Sequence, residues 1–350
     1  MIRVGIAGMG FMGWIHWLAY QRIEGVEVVA IWEVDPAKRK GDWTSIKGNF
    51  GPAGQHVDLS GIQTFASLSE MLSQADLDYV DICLPPAMHH EVAIECLSAG
   101  KHVFSEKPMS LWLDKCDQMV AAAVANDRLL MVGHVLPFFP EYTVARRVIQ
   151  SGDYGKLIGG RFIRMISDPQ WLTGFYDPQK IGGPMLDLHV HDAHLIRMLY
   201  GMPTQVISRG RVQGEVAKYW NSIFEFADPE VSVSVTSGVI DQQGRSFTHG
   251  FEIHLQQATM HFELAVIDGN AVSMPLRIFA ADGSVIQPEL PVGDDIAGFE
   301  AELREVKRSI ETGQPSPILG SQLARDAIEL CNRQSQCIFD SQSSSTETRF

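Results

Sequence analysis

Residues 2–13 read IRVGIAGMGFMG, an apolar run followed by three glycines in the pattern G-x-G-x-x-G. The apolar run has the character of a strand, and a helical stretch follows the glycines to about Ile23. In such a turn the first glycine makes a tight bend, the second lets a pyrophosphate approach the backbone, and the third allows close helix–strand packing. We therefore predict a dinucleotide-binding loop, rather than a turn that binds nothing, formed by Gly8, Gly10, Phe11, Met12 and Gly13.

Strand and helix patterns alternate from residue 1 to about residue 135. Apolar runs such as VEVVAIW at 26–32 and LLMVGHV at 129–135 have helical stretches between them. This alternation is typical of an α/β fold with a parallel, doubly wound sheet, so we predict a Rossmann domain over residues 1–135. Within it, the polar, glycine-rich segment 41–61 is predicted to be a loop or an insertion.

Beyond residue 135 the pattern changes to successive strands with turn signals between them, which is typical of a mainly antiparallel, α+β sheet. We predict a second domain over residues 136–338 that binds substrate and mediates oligomerisation, with final helices that pack back on the first domain. Residues 339–350 contain little apolar content, and we predict that they form a disordered tail.

Composition excludes several classes of partner. The chain has 350 residues and a net charge of −14, and an acidic surface repels the phosphates of nucleic acids. No apolar run is long enough for a membrane span. The five cysteines are scattered, and no pair has the spacing of metal ligands. We predict a cytoplasmic protein with free thiols that binds neither nucleic acid nor membrane.

A carboxylate after the second strand bears on the choice of cofactor. Glu33 lies twenty residues after Gly13, where its carboxylate can accept hydrogen bonds from both hydroxyls of an adenosine ribose. The same carboxylate repels a 2′-phosphate, so we predict NAD as the cofactor, with NADP less favoured. The basic run KRK at residues 38–40 lies just beyond and weakens that preference.

The tetrapeptide SEKP at residues 105–108 follows an apolar strand, and in an open α/β sheet ligands gather at the carboxyl ends of strands. Together with three other stretches it resembles the Gfo/Idh/MocA oxidoreductases, the family of glucose–fructose oxidoreductase and inositol dehydrogenase. The matching stretches, in the family's order, are GIAGMGFMG (5–13), DICLPPAMHHEVAIECLSAGKHVFSEKP (81–108), VGHVLPFFPEY (132–142) and GGPMLDLHVHD (182–192).

The resemblance implies an N-terminal Rossmann domain, a C-terminal domain on an open-faced sheet, and a nicotinamide cofactor. It implies a dehydrogenase or reductase that moves a hydride between nicotinamide and a carbinol carbon of a sugar, polyol, inositol or related small molecule. It places Lys107 beside the nicotinamide and the reacting carbon, and Glu106 on the cofactor side. Leu84 and Pro85 match a turn that lies along the dinucleotide. His89 matches a recurrent histidine in the cofactor set, although a packing or helix-capping role fits it equally.

The family pattern also contains an aspartate followed four residues later by a catalytic histidine, and these match Asp187 and His191. If residues 185–199 form an α-helix, then Asp187, His191 and His194 fall within about 60° of one another on its surface. Most of the remaining circumference is apolar, so this polar edge requires partners or a ligand. A substrate in the crevice between the domains would be that ligand.

These residues suggest a division of labour. Oxidising a carbinol requires the hydroxyl proton to leave, and a histidine can accept it because its ordinary pKa is near neutrality. We assign His191 as the general base and Asp187 as the residue that orients it or binds a neighbouring hydroxyl. Lys107 would stabilise the developing alkoxide.

Two further residues are candidates for contact with the substrate. His194 occupies a position where many family members have an aspartate, and substrate contact and a structural role fit it equally. Trp171 lies before the glycine pair, and its aromatic face could pack against sugar C–H groups or simply against the loop.

Three alternatives stay open at this level. Asp187, His191 and His194 could be metal ligands, although the glycine loop and Lys107 argue for no metal. The same residues could perform NAD-dependent glycosidase chemistry by transient oxidation and elimination. A non-enzymatic dinucleotide sensor is the weakest alternative. An open-faced sheet exposes one side, so we also predict a homodimer or homotetramer formed through the C-terminal sheet.

Overall fold

The structure, a computed structural model, describes residues 1–346 and the side chains of residues 1–343. The chain divides into two compact units. The first contains residues 1–138 and 292–325, and the second contains residues 139–291 and the chain from Asp326 onward.

The first unit is built on a parallel sheet in the order β3-β2-β1-β4-β5-β6. Its strands are β1 (Ile2–Ala7), β2 (Val26–Trp32), β3 (Gln63–Phe65), β4 (Tyr79–Ile82), β5 (His102–Glu106) and β6 (Leu130–Gly133). The strand order reverses direction between β1 and β4, and the carboxyl ends of strands at such a switch point are where α/β sheets bind ligands. The predicted Rossmann fold is confirmed.

The helices of the chain are α1 (Phe11–Tyr20), α2 (Leu68–Gln74), α3 (His89–Ser98), α4 (Leu113–Ala125), α5 (Pro140–Ser151), α6 (Val190–Tyr200), α7 (Ala297–Thr312) and α8 (Ser321–Thr346). Helix α5 was not predicted, although Pro140 at its first turn and Gly152 in the left-handed conformation after its last turn are typical helix boundaries. None of the described helices is both long enough and apolar enough to span a membrane.

The predicted insertion at 41–61 contains neither a helix nor a strand, apart from one isolated bridge between Asp42 and His56. Its anchor is Trp43, which is fully buried and packs edge-on against the rings of Trp14 and Trp17 in α1. The segment therefore covers α1 by aromatic packing instead of regular structure.

The second unit is built on an eight-stranded sheet in the order β14-β13-β12-β11-β7-β10-β9-β8. Its strands are β7 (Leu157–Ser167), β8 (Gln205–Gln213), β9 (Val216–Glu225), β10 (Ser232–Ile240), β11 (Arg245–Leu255), β12 (Ala258–Ile267), β13 (Asn270–Ala280) and β14 (Val285–Ile286). All neighbouring pairs are antiparallel except β7 with β10. This confirms the mainly antiparallel sheet.

One face of this sheet is covered and the other is open along β9. Trp220 and Phe224 are fully buried, whereas Ile223 between them is half exposed. Side chains alternate between the two faces of a strand, so the burial pattern marks which face packs on the core.

The predicted domain boundaries need two corrections. Residues 292–325, with α7, belong to the first unit, but most of α8 belongs to the second. Residues 339–346 continue α8, so the predicted disordered tail is wrong there, while residues 347–350 lie outside the described residues. The end of this helix makes a contact that composition does not reveal. The Gln342 side-chain amide donates to the carbonyl of Gly210 at 2.7 Å.

Candidate active site

The glycine loop has the geometry that a pyrophosphate requires. Gly8 has a φ of +96°, and a Cβ on Gly13 would collide with the carbonyl oxygen of Gly8, so both positions need glycine. A Cβ on Gly10 would meet nothing within 4 Å, which leaves its outer side open to an approaching ligand. No side chain caps the N-terminus of α1, so its N–H donors and positive dipole end face that opening. These residues fit a dinucleotide.

Glu33 is held against this loop. Its carboxylate accepts the Met9 N–H at 2.9 Å through one oxygen and the Asp35 N–H at 2.9 Å through the other. The Lys38 ammonium donates to the Met9 carbonyl at 2.9 Å, and the Arg39 guanidinium donates to the Glu33 carbonyl at 2.7 Å. The acidic residue that favours NAD therefore has two cations close by.

The rings at the start of α1 contact the insertion. Phe11 and Phe50 pack edge to face with ring centroids 4.8 Å apart, and Phe50 stacks on Phe299 of α7 at 5.5 Å. Phe11 and Met12 are partly exposed. The segment 41–61 thus forms part of the surface beside the glycine loop.

His89 ties two loops together. The ring is fully buried, with Nδ1 2.8 Å from the carbonyl oxygen of Pro108 and Nε2 2.8 Å from that of Leu84. The first carbonyl belongs to the turn after β5, and the second, next to Pro85, belongs to the turn after β4. Both ring nitrogens face backbone carbonyls, which favours the packing role that the sequence left open. Its place in the cofactor set stays a prediction.

Lys107 lies at the carboxyl end of β5 and is partly exposed. Glu106 beside it is 6% exposed, and its carboxylate accepts the Lys107 N–H at 3.0 Å. The other oxygen of that carboxylate lies 3.1 Å from Nε2 of His16, a residue of α1 that the sequence analysis did not single out.

In the second unit, Asp187 and His191 stand out by their exposure. Every other residue from 182 to 196 is buried, whereas these two are partly exposed. The predicted continuous α-helix over 185–199 needs correction, because Met185–His189 is a π-turn and α6 begins at Val190. The angular estimate for Asp187 therefore does not hold, since a π-turn rotates less per residue than an α-helix. Such turns occur frequently at functional sites.

The neighbours of this pair are core residues. His194 is fully buried, which favours the structural role over substrate contact. His189 is also fully buried; its Nε2 accepts from the Gln334 amide at 2.9 Å and its ring packs edge-on against Trp220. Burial, reinforced by the positive charge of Arg164, lowers the pKa of His189 to about 3.

The second unit contains a buried ion pair that was not predicted from the sequence. The Arg164 guanidinium binds Asp192 through two contacts, of 2.6 Å and 3.1 Å, and both side chains are buried. The signal in the sequence was Asp192 itself, since an aspartate on a largely apolar helix requires a cation. The sequence could not identify that cation, because Arg164 lies on β7, 28 residues from Asp192.

Trp171 is 76% exposed in the segment between β7 and the π-turn. Nearby, the Tyr176 hydroxyl donates to Asp168 at 2.9 Å and so anchors that segment. The indole is available to a ligand, and its contact with substrate stays a prediction.

Comparisons with known proteins agree with these features. Residues 2–134 match the Gfo/Idh/MocA family described as "Oxidoreductase family, NAD-binding Rossmann fold", and residues 142–261 match the family's C-terminal domain. The chain is 28% identical to 1,5-anhydro-D-fructose reductase of Ensifer adhaerens over 90% of each chain. It is 26% identical to an uncharacterized oxidoreductase of Streptococcus pneumoniae over 60% of this chain, but it spans only 53% of that relative's length.

Solved structures share the fold. The crystal structure of aldose-aldose oxidoreductase from Caulobacter crescentus superposes with a TM-score of 0.79, covers 97% of this chain and 98% of its own, and is 18% identical.

Proposed function

The chain belongs to the Gfo/Idh/MocA oxidoreductase family, and on that premise we propose that it transfers a hydride between NAD(P) and a carbinol carbon of a sugar, polyol, inositol or related hydroxylated molecule. The observation that carries the proposal is the selective exposure of Asp187 and His191 within an otherwise buried stretch. A hydroxylated substrate can use both side chains, because a carboxylate and an imidazole are hydrogen-bonding groups that remain accessible here.

The residues divide the work as follows. His191 accepts the substrate hydroxyl proton during oxidation and returns it during reduction. Asp187 orients the imidazole or binds a neighbouring hydroxyl. The ammonium of Lys107 stabilises the negative charge that develops on the carbinol oxygen. The nicotinamide, when bound, supplies the hydride acceptor or donor.

NAD is the cofactor we propose first. Support comes from the Glu33 carboxylate, which is fixed at the loop by the Met9 and Asp35 N–H groups and would repel a 2′-phosphate. The cations of Lys38 and Arg39 are close enough to that carboxylate to keep NADP as the second choice.

We infer a homodimer or homotetramer formed through the open face of the eight-stranded sheet, in a cytoplasmic protein. The half-exposed Ile223 supports the first inference, and five free thiols support the second. Light scattering of the purified protein and of an Ile223→Asp variant tests the assembly: a smaller particle is expected for the variant, and an unchanged one would contradict the inference.

The experiment that tests the function is a panel of sugars, polyols, uronates and inositols, each offered with NAD and with NADP, in which nicotinamide absorbance is followed. We expect net reduction of the cofactor by at least one member of the panel. Release of a sugar without net NADH would instead indicate glycosidase chemistry. Cofactor binding without any turnover would indicate a sensor.

A further inference from the structure

A chain of buried polar side chains runs beneath the carboxyl ends of β4 and β5. At its centre is His16 of α1, which is fully buried. Its Nδ1 lies 2.9 Å from an oxygen of Asp81, and its Nε2 lies 3.1 Å from an oxygen of Glu106. The rings of Phe104 and Phe299 flank the imidazole and separate it from water.

A neutral imidazole cannot satisfy both contacts. It carries one N–H, so its second nitrogen would turn a lone pair toward a carboxylate oxygen. Both carboxylates act as acceptors: Asp81 also receives the Tyr20 hydroxyl at 2.8 Å, and Glu106 also receives the Lys107 N–H at 3.0 Å. Nδ1 forms a hydrogen bond with Asp81, and Nε2 lies at ion-pair distance from Glu106 without hydrogen-bond geometry, so a positive charge on the ring would face both carboxylates.

We propose that His16 is an imidazolium in the working enzyme, and that by bridging Asp81 and Glu106 it positions the turn that carries Lys107. One oxygen of Glu106 is held by the imidazolium, which leaves the other to fix the backbone N–H of Lys107. His16 is thus a positioning residue. Its effect on turnover rests on the proposed function, whereas its protonation state does not.

The titratable groups that surround His16 are compatible with a positive charge on its ring. Burial alone lowers the pKa of His16, but Asp81 and Cys83 together raise it through charge and hydrogen bonding, and the net pKa is well above the ordinary 6.5. Tyr20 and Tyr79 stay neutral because burial raises the pKa of each phenol. Burial likewise raises the pKa of the Cys83 thiol.

The remaining neighbour is Glu302 of α7. It is fully buried, and neither of its carboxyl oxygens has a hydrogen-bond partner in the described part of the chain. Burial and the negative charges of Glu106 and Asp81 raise its pKa well above the ordinary 4.5. With Glu302 protonated, the cluster contains two carboxylates, and an imidazolium offsets one of those charges.

A metal ion is the rival explanation, because ligand atoms of His16, Asp81 and Cys83 all lie within 4.8 Å of one another. The distances favour a hydrogen bond between His16 and Asp81 over a metal ion that both would bind. The 2.9 Å between His16 Nδ1 and the Asp81 oxygen is a hydrogen-bond length, whereas two such ligands of one tetrahedral zinc lie about 3.3 Å apart. The second ring nitrogen faces the Glu106 carboxylate at 3.1 Å, which is an ion-pair distance.

Nitrogen NMR of the purified full-length protein, labelled at the histidine ring nitrogens, tests the protonation. We expect both ring nitrogens of His16 to be protonated near neutral pH, with the resonances assigned by loss in His16→Gln. His189 and His249 serve as internal controls, since burial lowers the pKa of each to about 3 and they should be neutral. A neutral tautomer at His16, or one equivalent of zinc that is lost in His16→Gln, overturns the proposal.

Asp81→Asn tests the positioning role, because it removes the charge but keeps the shape. We expect loss of the imidazolium signal and a kcat lower by about tenfold or more, since small misplacements of a reacting group cost up to about 100-fold. Urea unfolding of the same variant is the control, because a fold that stays stable while kcat falls shows a local displacement of the turn and not general unfolding.

Tyr20→Phe is the milder variant, for use if Asp81→Asn does not fold. It removes a hydrogen bond that competes with His16 for the same oxygen of Asp81, so it should raise the pH at which the imidazolium signal is lost. An unchanged kcat in the variant that loses the signal contradicts the positioning role. If the wild-type protein reduces no cofactor with any substrate, the proposed function fails, and the NMR result still decides the state of His16.

Discussion

The backbone N–H of Met9 donates to the Glu33 carboxylate at 2.9 Å, and the carbonyl of the same residue accepts from the Lys38 ammonium at 2.9 Å. One residue inside the glycine loop thus links an anion that disfavours a 2′-phosphate to a cation that favours it. We therefore expect the balance of these two side chains to set the choice between NAD and NADP.

Replacing Glu33 by Ala should shift that balance. A hydrogen bond to a charged group contributes about 1.5–3 kcal/mol, so we expect NAD to bind about tenfold or more weakly, while NADP binding weakens less or improves. Titration calorimetry with both cofactors measures this. Glu27→Ala on the exposed side of β2 is the matched control. An equal loss for NAD and NADP would show that Glu33 does not discriminate.

Replacing His191 by Asn should separate chemistry from binding. We expect kcat to fall at least about 100-fold, the range of general-base catalysis, with the Kd for the cofactor unchanged. His261→Asn, another partly exposed histidine of the second unit, is the control and should retain activity. Turnover within a few-fold of wild type in His191→Asn would remove the general base from the mechanism.

The second unit should lose stability in mild acid. Burial lowers the folded-state pKa values of His189 and His249 to about 3, below the 6.5 expected when the chain is unfolded. As the pH falls from 6.5 toward 3, the unfolded state therefore binds protons that the folded state does not. Each histidine costs up to about 1.4 kcal/mol per pH unit in that window.

Urea unfolding at neutral pH and about one pH unit below the ordinary histidine pKa measures this loss, and His189→Gln should remove about half of the histidine contribution. His254→Gln, a more exposed histidine of the same unit, is the control. A pH dependence that is the same in wild type and His189→Gln would contradict the assignment.

The buried Glu302 should destabilise the first unit as the pH rises. Its folded-state pKa lies well above the 4.5 of an unfolded chain, so its contribution is fully present below pH 4.5 and is lost as the pH rises from there through the folded-state value. Relative to wild type, Glu302→Gln should gain stability with increasing pH, by at most about 1.4 kcal/mol per unit. Denaturant unfolding over that range measures it, and Glu311→Gln, an exposed position of the same helix, should show no such gain. A parallel pH dependence in wild type and Glu302→Gln would show that Glu302 is ionised in the folded protein.

Local pattern was enough for much of the fold. The glycine loop, the alternation of strand and helix over the first domain, and the change to successive strands all depend on residues close together in the chain. Asp187 and His191 were singled out by their match to the family's pattern; both are partly exposed, and their roles stay predictions.

The rest depends on distant partners that periodicity cannot reveal. His16 meets Asp81 and Glu106 across 65 and 90 positions of sequence, and α7 joins the Rossmann unit after the whole second sheet has been completed. The π-turn at Met185–His189 escaped prediction because its composition is that of an ordinary buried helix. The end of the last helix was wrongly predicted to be disordered, because polar composition does not reveal that the Gln342 side-chain amide contacts β8.

The most direct test of the central claim is the change in nicotinamide absorbance when wild-type protein, Lys107→Met and His191→Asn are each mixed with NAD and the best member of the substrate panel. We expect net NADH formation by the wild type and a loss of at least about 100-fold in both variants, with cofactor binding retained in His191→Asn. Substrate turnover by the wild type without net NADH, or full activity in either variant, would contradict it.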